Sequence, residues 1–310
     1  MIHTSAMPAS SLPRVTAAIT LLDGWITARS SDAACQWFRQ QCQLIADDGQ
    51  DSKLFKAMGM AARKLGKADL CLDAGELQRA GLLRTGFDPG NWSIDIAARV
   101  VFILIAYAGM HDDEQAFAAL LDRLADSAEI NELIALYCGF ALYPATQSIE
   151  HRAREAIRSS MRPVFEAMAH RNPYPVEAFD EAAWNQMVVK TFFLDSPLWP
   201  VQAVDARANP ALAVILVDLA YERWAAGRSI SPELWRCVTP HADEYGVAAL
   251  MQALDKSTRI EKLAIAKSLP ASCNPISLAV YRRCEEMGLI AAATDFSWQQ
   301  LYEKFVQRDV

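Results

Sequence analysis

The segment from Arg171 to Arg228 carries polar side chains where a helical pattern calls for apolar ones. At helical spacing Asp218 shares a face with Ala211, Val214, Tyr221 and Ala225, and a carboxylate buried there needs a partner. Arg207, Arg223 and Lys190 are the cations within reach in sequence. Such an aspartate is either half of an ion pair that pins a loop to a helix or a ligand-facing group tuned for proton transfer. Asn185, Gln186 and Lys190 form a second group, with Gln186 and Lys190 four apart on one face. Amides there either anchor a neighbouring loop or line a small polar pocket, in which the lysine would meet a phosphate or carboxylate as a point charge. The stretch Ser196-Pro-Leu-Trp-Pro200 reads as a rigid turn with an apolar tip. Trp199 is then a buried plug or a stacking surface for a ligand. Asp205, Arg207 and Asn209 alternate, so on extended backbone they point the same way, with Asn209 engaged as a helix cap.

Other chemistry lacks its signature. His111, His151, His170 and His241 show neither HExxH nor HxH spacing. There is no GxGxxG, no GxxxxGK[ST] and no GxSxG. Cys35 and Cys42 lie two helical turns apart, a spacing that suits core packing better than a metal site. Seven cysteines without a short repeated spacing describe small apolar residues in a reducing compartment, not a disulfide framework. No metal and no cofactor is expected.

The elements that must position these groups read as helices. Hydrophobic residues make up 52% of the 310 residues, enough for a sizeable core without staples. Alanine is abundant, and period-two alternation bounded by hairpin turns is absent. Apolar residues recur instead at three- and four-residue steps, as at Val15, Ile19, Leu22 and Trp25. Roughly a dozen helices joined by short loops are expected. The longest apolar run, Val100–Met110, is too short for a bilayer and predicts a buried central helix. The run Ser148–His170 contains Pro163, which kinks or divides it. A helix is expected over Glu177–Phe193, then an extended loop over Leu194–Asn209. Asn209-Pro210 starts the next helix, which ends at Gly227. Ser231-Pro232-Glu233 starts another by the same logic.

The expected fold is all-α, built of stacked antiparallel hairpins as in HEAT-like or armadillo-like arrays, or else an irregular bundle. Residues 1–12 read as a flexible arm and 13–310 as one helical domain, with a division into two lobes near 194–209. The arm has neither the apolar core nor the cleavage site of a signal peptide. A net charge of −7 and a pI near 5.3 argue against nucleic acid or anionic lipid as the main partner. The chain is expected in the cytoplasm, with no transmembrane segment.

Several of these stretches resemble the bacterial EboA family. The likeness is strongest over Arg171-Asn-Pro-Tyr-Pro175 and Phe179-Asp-Glu-Ala-Ala-Trp-Asn-Gln-Met187 with Lys190. It continues through Ser196-Pro-Leu198, Asp205, Arg207, Ala208-Asn-Pro210, Asp218, Glu222-Arg-Trp-Ala-Ala-Gly-Arg228 and Ser231-Pro-Glu-Leu-Trp-Arg236. Upstream, Gly86-Phe-Asp-Pro89, Trp92-Ser93, Ala97-Ala-Arg99 and Leu142-Tyr-Pro144 fit as well. The family usually has Gly-Trp where this chain has Gly86-Phe87. The resemblance implies metabolite traffic: moving or completing a small-molecule precursor alongside a membrane prenyltransferase and sugar- or cyclitol-handling enzymes.

The function expected is that of a helical accessory protein. It would bind a metabolite precursor or a partner pathway enzyme around Asn185, Gln186, Lys190, Trp199 and Arg207, in peripheral contact with a membrane enzyme. The rival is an enzyme of unfamiliar type acting on an anionic, cyclitol or prenylated metabolite. Asp205 or Asp218 would serve as its acid or base, with Arg207 or Lys190 holding the substrate. A third reading makes the cluster purely structural.

Overall fold

The structure, a computed structural model, describes residues 11–48, 51–144, 147–269 and 277–307. Over these residues the chain is all-α, with nineteen α-helices, two 3-10 turns and no strand. The helices outnumber the dozen expected because several long patterns are divided. The run from Ser148 to His170 becomes Glu150–Ala156 and Arg162–Ala169, with Pro163 in the first turn of the second. Proline fits there because a first-turn amide has no helical acceptor. The helix expected from Glu177 starts instead at Glu181. Asp180 caps it, accepting from the Ala183 amide at 2.8 Å, and a short helix Tyr174–Ala178 precedes it.

The chain forms two compact units, the first reaching Phe179 and the second beginning at Asp180. The loop over 194–209 therefore lies inside the second unit. Of the N-terminal arm, residues 1–10 fall outside the described residues, and the first helix begins at Leu12.

The first unit is built around Ile94–Gly109. That helix is apolar on nearly every side, so it must be surrounded. Leu12–Arg29, Asp32–Asp48, Asp51–Leu65 and Ile130–Cys138 pack against it. Its first turns nevertheless carry a buried ion pair, Asp95 with Arg99. Arg99 Nε also donates to the Met58 carbonyl at 2.9 Å, and Ser93 Oγ donates to Asp95 at 2.6 Å.

In the second unit Arg259–Ser268 plays the central part. Leu234–Val238, Glu244–Lys256, Leu289–Ala293 and Trp298–Val306 pack on it. Pro210–Ala225 lies against Glu181–Phe193, Leu234–Val238 and Glu244–Lys256. Among the described residues no helix is long and apolar enough to cross a membrane. No three His, Cys, Asp or Glu side chains gather there as a metal set.

Candidate functional site

The helix Glu181–Phe193 buries Trp184, Asn185, Met187, Val188, Thr191 and Phe192. A buried amide such as Asn185 is costly unless its hydrogen bonds are made. Asn209 makes them. Asn185 Nδ2 donates to Asn209 Oδ1 at 3.2 Å, and Asn209 Nδ2 returns a bond to Asn185 Oδ1 at 2.8 Å. Asn209 Oδ1 also accepts the Leu212 amide at 2.9 Å, capping Pro210–Ala225, and its Nδ2 donates to the Arg207 carbonyl at 3.2 Å. One side chain thus ties two helices and the end of the loop together.

Arg207 leaves that anchor to lie on Trp184, its guanidinium carbon 4.4 Å from the ring centroid. Trp184 is buried beneath it, and its indole Nε1 has no hydrogen-bond partner among the described residues. Burial pulls the Arg207 pKa down, while the charges of Asp180 and Glu181 push it back up. A cation on an indole face is worth about 0.5–2 kcal/mol, more as it loses water. The result is a partly dehydrated cation fixed on an aromatic floor.

The loop before it is held by Glu233, which in the sequence has the look of an ordinary helix start. Glu233 is fully buried. Its Oε2 accepts the Leu198 amide at 2.7 Å, and the Trp199 amide also bonds to this carboxyl. Oε1 has no partner among the described residues. Burial pushes the Glu233 pKa up to about 8, against the opposing pull of the Leu198 amide and Arg236. Leu198, and not Trp199, is the buried plug of the turn, and Trp199 is half-buried.

The three alternating residues do not point the same way. Asp205 and Arg207 lie in a helical turn, Val204–Arg207, entered through Ala203 in left-handed backbone at φ 54°. Helical geometry sends them to different sides. Asp205 faces Arg236 and accepts both ends of its guanidinium at 2.6 Å. Arg236 in turn lies 5.3 Å from the Trp298 ring centroid.

Asp218 is exposed, contrary to the buried position expected, and accepts the Tyr245 hydroxyl at 3.0 Å. The helix Pro210–Ala225 is apolar on both sides, so its pattern did not reveal the inner face. Leu212, Ala213, Leu216, Val217, Leu219 and Ala220 take that role, and Val214 and Ile215 stay exposed. Arg223, one of the expected partners, bonds instead to the Ser229 carbonyl at 2.6 Å and to Asp195 at 3.3 Å. Gln186 is exposed and Lys190 half-buried, and neither side chain has a partner among the described residues. The structure therefore gathers Trp184, Asn185, Arg207 and Asn209, and sets Asp205 and Asp218 in separate contacts.

A family model described as metabolite traffic protein EboA matches residues 18–239. The chain belongs to the EboA family. No curated protein and no solved structure matches it. The EboA match contains every member of the Trp184–Arg207 group as well as Glu233. The contacts of Asp218 and Arg236 draw on Tyr245 and Trp298, which lie beyond it. The Arg207 group and the Glu233–Leu198 support both lie wholly within the family span.

Proposed function

We propose that this chain is a non-catalytic accessory protein of bacterial metabolite traffic, using Arg207 on Trp184 to hold an anionic metabolite precursor or a partner pathway enzyme. The observation that carries the reading is the guanidinium itself. It sits on an aromatic face, partly stripped of water, in a loop fixed from below by Asn209 and Glu233. Arginine and tryptophan so placed are the residue types that dominate binding energy at recognition surfaces. A rigid loop also lowers the ordering cost of binding. The two candidate acids of the enzyme reading are engaged elsewhere, Asp205 with Arg236 and Asp218 with Tyr245. The acidic net charge fits a partner other than nucleic acid. The working place proposed is the cytoplasm, in peripheral contact with a membrane enzyme of the same system.

The test is co-purification. Tagged chain is isolated from cells that carry its own pathway, and what comes with it is identified by mass spectrometry. A small acid or a pathway enzyme should accompany the native chain and be lost from Arg207→Ala, with the helical circular dichroism of the two matching. Equal recovery by both would end the proposal.

A further inference from the structure

The first unit contains a concave pocket of about 220 Å³ that none of the preceding function uses. Its polar lining includes Asn91, Glu166, His170 and Arg171, and Trp92 and Ile134 stand among its apolar walls. The volume lies below the roughly 300–1,000 Å³ typical of drug-sized ligands, so it suits a small metabolite.

The turn that presents Arg171 is over-determined. Arg171 has φ 53°, a left-handed conformation that is rare and costly for a residue with a Cβ. Asn172 beside it is buried and locked. Its Nδ2 donates to the carbonyls of Tyr137 at 3.3 Å and Ala167 at 3.4 Å, and its Oδ1 accepts the Tyr174 amide at 3.0 Å. Arg171 is steadied further by Asp88, whose other oxygen accepts the Gly90 amide at 3.0 Å. Gly90 gives Asp88 room, because a Cβ there would stand 3.0 Å from Asp88 Oδ1, tighter than an ordinary contact. Backbone strain held by so many bonds is characteristic of positions that present a side chain to a ligand.

The lining holds one guanidinium, that of Arg171, and its partner Asp88 stands outside the lining. Glu166 is the one carboxylate of the lining, and Arg162 meets it at 2.7 Å. The Cys138 thiol in the wall stays neutral, its pKa pushed up to about 12 by burial. Trp92 and Ile96 bracket the start of Ile94–Gly109, whose N-terminal dipole also favours negative charge. We propose that this pocket binds a small organic carboxylate, with the acid group on Arg171 and an apolar body against Trp92 and Ile134. The site lies in the first unit and does not rest on the Arg207 reading, so either can fail alone.

Calorimetric titration with benzoate and benzamide tests it. The native chain should bind benzoate and take the uncharged amide at least roughly tenfold more weakly, the loss of one charge-assisted contact. Arg171→Gly removes the guanidinium while tolerating the left-handed backbone, and should weaken benzoate by about the same factor. Ile134→Trp fills the space without touching a charge, and should abolish binding even if Arg171→Gly misfolds. Absence of benzoate binding by the native chain, equal affinity for acid and amide, or unchanged affinity in folded Ile134→Trp would each overturn the proposal.

Discussion

Both units bury a carboxylate, and they solve the problem in opposite ways. In the first, Asp95 is met by Arg99 four residues on, each side chain under 5% exposed. Ser93 and the Met58 carbonyl take up bonds that remain. In the second, Glu233 forms no ion pair among the described residues; it accepts backbone amides of a loop through one oxygen and keeps its proton up to about pH 8. A buried ion pair commits both partners and stiffens a scaffold, since breaking it leaves a stranded charge. A neutral buried acid can hold a loop without bringing a countercharge into the site that the loop carries. That difference separates the scaffold of the first unit from the recognition surface proposed in the second.

The largest expected effect falls on the ion pair. Arg99→Ala leaves Asp95 buried alone and should cost about 3–5 kcal/mol in urea unfolding. A cost under about 1 kcal/mol would mean the pair is not the support described. Next comes the pH dependence set by Glu233. Its folded pKa, about 8, lies above the ordinary value of 4.5. Between those values the folded state keeps a proton that the unfolded chain has lost, so this group's stabilisation is full below pH 4.5 and lost as pH rises through 8. The loss should be on the order of a few kcal/mol, and Glu233→Gln should flatten that part of the curve. A parallel curve for the variant would break the comparison.

Smaller effects sharpen it. Asn209→Ala removes a helix cap and leaves the Asn185 amide unpaired, which should cost about 2 kcal/mol in thermal or urea unfolding. Asp218→Ala removes one exposed contact and should change stability by no more than about 0.5 kcal/mol. A large loss at Asp218 would restore the buried pair that the helix pattern first suggested.

How much of this the sequence revealed depends on range. Local signals were dependable: Asn209-Pro210 starts its helix, Gly227 follows its end in left-handed backbone, and Val100–Met110 marks the buried centre. These rest on backbone conformation and burial, which neighbouring residues dictate. Pairings across tens of residues were not legible. Arg236 is 31 positions from Asp205, and Glu233 is 35 from Leu198. The one available hint for Glu233 was an acid set among Ile230, Leu234 and Trp235, which also fits an ordinary helix start. Asp218 misled because an evenly apolar helix does not declare its inner face. The left-handed turn at Arg171 has no signature either, since arginine is not a residue that marks such backbone.

The measurement that reaches furthest into this account is a carbon-13 NMR titration of the glutamate carboxyls, with Glu233→Gln assigning the resonance. The loop carrying Trp199 and Arg207 is held by an acid that stays protonated at neutrality if Glu233 titrates near pH 8. A midpoint near 4.5 would show a charged, solvated carboxylate, and the proposed support beneath the recognition loop would be gone.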